Sequence, residues 1–243
     1  MAEDAMLDQF VISDHLIGLS QEILLSVKLN RPADQLLLKL TRLNNQNLNQ
    51  LDNDTLKKTF WINIYNAFIQ LLLKENEAKY EDKKTFFSKK SILIGTELLS
   101  LDNIEHGILR RSKIKWGLGL LTNPFPGKFE KANRVSVLDF RIHFALNCGA
   151  KSCPPIAFYK TEILEDQLNM ATKSYLLATT NYSKEENTIF LPAIMNWFRY
   201  DFLKENSFTG LLKKYKIIPE QSNPIIKFSN YNWELLLGNF NNE

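Results

Sequence analysis

The most constraining feature of the sequence is residues 54–75, where large apolar side chains recur at three- and four-residue steps. This spacing predicts a helix with a wide apolar face that must pack against several neighbours. At about 100° per residue, Asn63, Asn66 and Gln70 fall together on the opposite side. The pattern leaves three roles open for this row of carboxamides: exposure to solvent, hydrogen bonding to a neighbouring element, or ligand binding.

The remaining pattern mixes helices with a few short strands. Helices are predicted at residues 3–29 and 33–44, and a third begins after Ser100, a residue type that caps helix N-termini. Short apolar runs bounded by turn residues predict strands at residues 91–95, 141–148, 187–191 and 225–228. Residues 117–134 are rich in Gly and Pro and predict a loop.

These elements favour the α+β class, as a helix-rich single domain with a small mixed or antiparallel sheet. We expect residues 1–54 to form an N-terminal helical extension packed on the core, and residues 55–243 to form the α+β domain.

Composition excludes several classes of protein. With 44% hydrophobic and 23% charged residues, the chain has the composition of a globular protein and not of a disordered one. A net charge of +3 without a block of basic residues gives no indication of nucleic-acid binding. The acidic start does not resemble a secretory signal, and residues 60–73 are too short and too polar to span a bilayer. We expect a cytoplasmic protein with reduced thiols, although a trimmed native signal would also be compatible with this sequence.

His143, Cys148 and Cys153 lie within eleven residues of each other in a chain with 3 His and 2 Cys. If residues 141–148 form a strand, His143 and Cys148 point to opposite faces, and Cys148 is expected to be a small buried hydrophobe. Cys153 follows a turn and can face either side. A disulfide between the two cysteines is geometrically conceivable, but a reducing compartment disfavours it.

Cys153 is the candidate nucleophile, because a nearby imidazole such as that of His143 can take the proton of a thiol. Glu105, Asp201 or Asn147 could orient that imidazole. A structural role for a half-buried His143 is the alternative. A zinc site with His106 as a fourth ligand does not match the common ligand spacings, and the cysteine pair is not a C-x-x-C redox motif.

A second polar cluster lies on the helix that follows Ser100. His106 and Arg110 are four residues apart and therefore neighbours on a helix, with Glu105 about 100° away. These groups could bind an anion or do acid–base chemistry. The alternative is an exposed salt-bridge face.

Several segments together resemble one family, DUF547, a domain of unknown function. The main blocks that carry the resemblance are Phe60–Phe68 (FWINIYNAF), Ser100–Arg110 (SLDNIEHGILR) and Arg141–Pro155 (RIHFALNCGAKSCPP). Shorter similar blocks are Trp197–Phe202 (WFRYDF) and Tyr231–Trp233 (YNW). The resemblance implies no established reaction, but it singles out the polar residues inside the blocks: Asn63, Asn66, Glu105, His106, Arg110, His143, Asn147 and Cys153.

Such a set is compatible with a papain-like or transglutaminase-like arrangement, in which the cysteine precedes the histidine. Here His143 precedes Cys153, so a permuted or inactive version would be required.

The leading hypothesis is a thiol-dependent hydrolase or acyltransferase that acts on an amide or peptide bond. Cys153 would attack, His143 or His106 would be the base, and Glu105 would orient it. The candidate ligand-binding residues are Asn63, Asn66, Arg110 and Asn147, of which Asn63 or Asn147 could donate to an oxyanion.

The alternative is a non-catalytic binding or scaffold domain whose polar cluster is structural. We expect no metal, no cofactor, no nucleic acid and no membrane span, and a ligand that is a peptide or a small molecule. The sequence does not specify the substrate or the oligomeric state.

Overall fold

The computed structural model describes residues 2–203 and 207–241. Its α-helices are α1 (Ala2–Lys28), α2 (Asp34–Thr41), α3 (Asn45–Leu48), α4 (Asp54–Glu75), α5 (Lys83–Ser88), α6 (Lys128–Asn133), α7 (Leu164–Thr179), α8 (Ala193–Trp197), α9 (Arg199–Phe202) and α10 (Phe208–Lys214). A π-helix spans Asn103–Leu109, and short 3-10 turns span Glu77–Tyr80, Phe140–Phe144 and Thr161–Ile163.

Two small sheets complete the fold. The hairpin of β1 (Ile92–Ile94) and β2 (Glu97–Leu99) is antiparallel. In the second sheet, β4 (Thr188–Leu191) pairs antiparallel with β3 (Asn181–Ser183) and parallel with β5 (Ile225–Phe228). The expected helix-rich α+β fold with a small mixed sheet is therefore confirmed. Among the described residues, no helix is both long enough and apolar enough to cross a membrane.

Helix α4 lies in the core, and its carboxamide row is buried rather than exposed. The Asn63 side chain accepts the N–H of Tyr159 at 3.0 Å and donates to its carbonyl at 3.0 Å. Asn66 accepts the N–H of Asn147 at 2.9 Å and donates to the carbonyl of Ala145 at 2.9 Å. Each amide thus satisfies two buried backbone groups of an irregular segment, which otherwise would lack partners.

The buried apolar residues form two clusters. The first surrounds α4 and includes α1 residues such as Ile23 and Leu24, with α4 residues such as Trp61. The second lies around β4, α9 and α10 and includes Phe144 and Phe202. The candidate site described below has residues of both clusters in its walls.

The strand predicted at residues 141–148 is wrong. Phe140–Phe144 form a 3-10 turn, and the chain then continues to Cys148 without regular structure. The carboxylate of Asp139 accepts the N–H of Arg141 at 3.0 Å. Such local bonds from an Asp side chain compete with strand pairing, so the apolar alternation was misleading here.

The other strand and loop predictions agree with the structure more closely. The predicted strands at residues 91–95, 187–191 and 225–228 are confirmed as β1, β4 and β5. The loop predicted at residues 117–134 is interrupted by α6, whose sequence lacks both Gly and Pro.

Candidate active site

A largely apolar cavity of about 360 Å³ opens between the two apolar clusters. Polar groups occupy one part of its wall, and aromatic rings form much of the rest. The lining residues are Tyr65, Phe87, Asp102, Glu105, His106, Lys115, Trp116, Leu118, His143, Leu146, Cys148, Pro154, Ile194, Trp197, Phe198, Tyr231 and Trp233.

The π-helix Asn103–Leu109 brings the acidic and imidazole groups to this cavity. Ser100 starts it: its hydroxyl accepts the N–H of Asn103 at 3.1 Å, and the Asn103 side chain accepts the N–H of Ser100 at 3.0 Å. The wider turn is visible in the 2.7 Å bond from the N–H of Arg110 to the carbonyl of Glu105, five residues earlier. Single π-turns of this kind occur frequently at functional sites.

Behind the cavity, Asp201 joins two blocks of the sequence through a fully buried ion pair. Its Oδ2 atom accepts from Arg110 Nε at 2.7 Å and from His143 Nε2 at 2.9 Å. Burial alone would raise the pKa of Asp201, but these two donors outweigh it and hold the pKa at about 2. Of the groups considered for orienting His143, Asp201 is the one that hydrogen-bonds it.

The ring of Phe198 lies between the two basic partners of that carboxylate. It stacks on His143 at 4.5 Å between centroids, and the Arg110 guanidinium carbon lies 4.2 Å from its centroid. Burial lowers the pKa of His143 despite the neighbouring carboxylate, so this histidine is neutral near pH 7. These contacts hold His143 as a positioned, buried group.

His106 lines the cavity and has a defined tautomer. Arg110 Nη1 lies 3.0 Å from His106 Nδ1, and because a guanidinium can only donate, Nδ1 must accept. Burial and the Arg110 charge lower the pKa of His106 well below its ordinary value, so the ring is neutral and carries its proton on Nε2. Among the described residues, buried His106 Nε2 has no hydrogen-bond partner. Asp102 Oδ1 lies 3.6 Å from it, beyond hydrogen-bond distance.

Glu105 is the acid–base candidate of the site. Burial raises its pKa to about 6, with Asp102 adding to the rise and Arg110 opposing it. Its Oε2 atom accepts from the hydroxyl of Tyr65 at 3.1 Å. A carboxyl group with this pKa is present in both protonation states near neutral pH, as general acid–base catalysis requires.

Two free thiols form the other polar part of the site. Cys148 Sγ lies 2.6 Å from Cys153 Sγ, and the two sulfurs lie 3.2 and 3.1 Å from the hydroxyl of Tyr231. Cys153 Sγ also accepts the N–H of Cys148 at 3.0 Å. Cys148 is the half-buried member and lines the cavity, whereas Cys153 is 6% exposed.

Cys148 packs against the first apolar cluster but is only partly buried, so the expectation of a fully buried side chain, which depended on the strand that does not form, is wrong.

The two thiols titrate as a pair. Burial raises the pKa of Cys153, but the bonds from the Cys148 thiol, the Tyr231 hydroxyl and the Cys148 N–H outweigh burial, and the pKa is lowered. The interaction with Cys153, followed by burial, raises the pKa of Cys148 well above its ordinary value. The first proton therefore leaves from Cys153, and Cys148 keeps the second.

Asn147 shapes the turn that brings the sulfurs together. Its side chain accepts the N–H of Gly149 at 2.8 Å and donates to the carbonyl of Pro154 at 2.8 Å. The hydroxyl of Ser152 in the same turn accepts the N–H of Asn232 at 2.8 Å, which fixes the segment that carries Tyr231.

The structure brings part of the predicted site together. Glu105, His106 and His143 all line the cavity, and so does Cys148. Cys153 adjoins it through Cys148, but no hydrogen bond joins either thiol to either imidazole among the described residues.

The four predicted ligand-binding residues, Asn63, Asn66, Arg110 and Asn147, are fully buried. The three amides bond backbone groups, and Arg110 bonds Asp201 and His106.

Sequence reasoning missed the roles of Tyr65, Tyr231 and Phe198. Tyr231 follows Cys148 by 83 positions, so no local spacing links them. The available signal was that Tyr231 and Phe198 belong to the short blocks at residues 231–233 and 197–202.

For metals, the described residues contain no group of three or more His, Cys, Asp or Glu side chains that could hold an ion.

Comparisons with known proteins identify one family. No curated protein and no solved structure matches the chain. The model of the family described as "Protein of unknown function, DUF547" matches residues 48–176, which include α4, the π-helix and the turn with both cysteines. The chain therefore belongs to the DUF547 family.

Proposed function

We propose that the cavity is the active site of a thiol-dependent hydrolase or acyltransferase that acts on an amide or a related acyl bond. The observation that carries the proposal is the close pair of thiols, one member of which lines the same cavity as an acid–base carboxyl group. Cys148 and Cys153 lie 2.6 Å apart, and Glu105 has a pKa of about 6.

In this mechanism Cys148 replaces Cys153 as the nucleophile that attacks the acyl carbon, since it is the thiol that lines the cavity, and Cys153 replaces the histidines as its base. As the sulfur–carbon bond forms, the proton of Cys148 passes to the Cys153 thiolate across the short sulfur–sulfur contact. The carbonyl oxygen becomes an oxyanion, and the Nε2–H of His106, which has no hydrogen-bond partner among the described residues, is the donor that stabilises it. This assignment replaces Asn63 and Asn147, whose amide N–H groups already bond to carbonyls.

Collapse of the oxyanion breaks the carbon–nitrogen bond, and protonated Glu105 gives its proton to the leaving nitrogen. The resulting thioester on Cys148 is then attacked by water or by an acceptor amine, whose proton returns to the Glu105 carboxylate. When the acyl group leaves, the sulfur of Cys148 is released as a thiolate. This thiolate takes the proton back from the Cys153 thiol. Asp201 and His143 act as positioning residues behind the site.

A binding role without catalysis is the second candidate, and one observation favours it. His143 and Arg110 are buried and bonded to Asp201, so this part of the polar cluster stabilises the fold. In that case the cavity would bind a peptide or small molecule, and binding would persist when both thiols are replaced.

Alkylation with iodoacetamide as a function of pH tests the thiol pair. The wild type should show one thiol that reacts with an apparent pKa below the ordinary value of about 8.5. In Cys148→Ser, loss of the neighbouring S–H donor should move the pKa of Cys153 upward. An ordinary pKa for both thiols in the wild type would count against the proposal.

A panel of chromogenic amides and esters provides the second test. Turnover should be lost in Cys148→Ser and reduced in Cys153→Ser, with both variants folded by circular dichroism. Turnover that persists in the double variant would refute a thiol nucleophile. Ligand binding without turnover in the wild type would favour the binding module.

A further inference from the structure

One loop next to the cavity exposes an unusual set of apolar side chains. The apolar loop, residues 112–125, carries exposed residues with the following accessible fractions: Trp116 76%, Leu118 43%, Leu120 56%, Leu121 47% and Phe125 87%. A protein surface that faces water rarely groups large apolar side chains in this way unless it binds another protein or a membrane.

The loop is fixed to the protein, so the exposure is built into the fold. Its two sides are joined by bonds from the N–H of Ile114 to the carbonyl of Leu121, at 2.9 Å, and from the N–H of Asn123 to the carbonyl of Ser112, at 2.7 Å. The carbonyl of Leu118 accepts the N–H of Tyr200 at 3.0 Å.

Glycine at position 119 makes this fixed arrangement possible. Gly119 has a φ of +88°, and a Cβ atom there would lie 2.5 Å from Asp201 Oδ1. Gly117 and Gly119 are buried, while the residues that alternate with them are exposed. The backbone therefore lies against the protein, and the apolar side chains face outward.

Basic residues lie within the apolar loop and on both sides of it. Residues 111–131 contain one acidic residue, Glu130, and a set of basic ones: Arg111, Lys113, Lys115, Lys128 and Lys131. Lys115 pairs with Asp102 at 2.8 Å. Trp, Phe and Leu side chains beside Lys and Arg are the composition of surfaces that bind anionic bilayers, whereas the centres of protein–protein interfaces are depleted in Lys.

The apolar loop is also continuous with the cavity. Trp116 and Leu118 belong both to the loop and to the cavity wall. An acyl chain that leaves a bilayer at this loop would reach Cys148 along apolar side chains.

We propose that the apolar loop inserts into the interface of an anionic lipid bilayer. As a consequence that rests on the proposed function, the acyl chain that enters the cavity comes from a lipid or a lipidated amine. The bilayer contact itself does not depend on catalysis, so the two proposals can fail separately.

Vesicle co-sedimentation tests the contact, with phosphatidylcholine vesicles that contain or lack an equal part of phosphatidylglycerol. The wild type should bind the anionic vesicles more tightly, and added salt should weaken binding. Leu120→Ala should weaken binding by about tenfold, because it removes most of one inserted side chain. Leu177→Ala, on α7, is the matched control with 55% exposure against 56%, and it should bind as the wild type does.

Phe125→Ala is a second variant and should weaken binding like Leu120→Ala. The proposal is overturned if the wild type does not bind anionic vesicles, or if Leu120→Ala and Leu177→Ala bind equally well. It is also overturned if the wild type binds no vesicles and forms a dimer, and if Leu120→Ala dissociates that dimer. The loop would then join two copies of the chain.

Cys148→Ser separates the two proposals: it should retain vesicle binding. Vesicle binding by a wild type that has no acyl turnover would remove the proposed function and leave the bilayer contact standing.

Discussion

Replacing Asp201 by Asn should destabilise the fold far more than removing an ion pair of equal length at the surface. Arg110 Nε lies 2.7 Å from Asp201 Oδ2, and the side chains of both residues are 0% exposed. Both donors bond the same oxygen, Asp201 Oδ2, so an asparagine could still offer one acceptor to them, but it would leave the buried Arg110 guanidinium without a counter-charge. Loss of one partner from a buried pair costs about 3–5 kcal/mol of the free energy of unfolding.

The matched comparison is Glu165→Gln. Glu165 Oε2 also lies 2.7 Å from a guanidinium nitrogen, that of Arg141, but the Glu165 side chain is 61% exposed. Solvent screens such a pair, and its loss should cost less than about 1 kcal/mol. The two variants therefore compare a buried and an exposed ion pair at the same nitrogen–oxygen distance.

The pH dependence gives an independent check on Asp201. Its pKa is about 2 in the folded protein and ordinarily 3.8, so the folded state binds this proton more weakly than the unfolded state. The corresponding stabilisation, about 2 kcal/mol, is complete above pH 3.8 and is lost as the pH falls through 2. The loss on mutation should exceed this value, because Asn leaves the charge of Arg110 buried without a counter-ion.

Urea unfolding followed by tryptophan fluorescence measures these free energies for the wild type and both variants at pH 7 and at lower pH. Asp201→Asn should show a weaker dependence of stability on pH in the acid range than the wild type. The reasoning would be refuted if Asp201→Asn lost less than about 1 kcal/mol, or if Glu165→Gln lost as much.

Three further predictions concern the site and its supports. Glu105→Gln should lower turnover by about a hundredfold and remove the decline in rate expected above a pH of about 6, measured as a pH–rate profile; an unchanged profile would exclude Glu105 as the acid. Gly119→Ala should lower stability by about 1–3 kcal/mol more than Gly238→Ala, which shares a positive φ but has open space around it; equal urea midpoints would contradict the close packing under the loop. Asn63→Ala should cost about 1–3 kcal/mol because it leaves the buried N–H of Tyr159 without its acceptor, and a midpoint equal to that of the wild type would show that this bond contributes little.

Much of the fold follows from periodicity in the sequence. Residues 54–75 form the expected helix because large apolar side chains recur around it, and a fully buried helix needs that pattern on several faces. The amide row was ambiguous because Asn is equally suited to solvent and to buried backbone groups. Asn63 and Asn66 hydrogen-bond irregular segments that lie far along the chain. Only these partners decide between exposure to solvent and bonding to buried backbone groups.

Only part of the candidate site could be predicted from the sequence. His106 and Arg110 are four residues apart on one helix, and spacing alone makes them neighbours, whereas Glu105 joins them through the wider turn of the π-helix. The contact of Cys148 with Cys153 depends instead on the conformation of the turn between them, and the sequence pattern leaves the direction of Cys153 open. Tyr231 reaches the sulfurs through tertiary packing, which no local pattern encodes.

The most direct test of the central claim is the mass of the intact protein after brief incubation with an activated acyl ester. A thiol nucleophile at the cavity predicts the addition of one acyl group on Cys148, released by hydroxylamine as a thioester should be. The adduct should be absent from Cys148→Ser and should form more slowly in Cys153→Ser. No adduct on the wild type, or an equal adduct on the variant that lacks both thiols, would contradict the account.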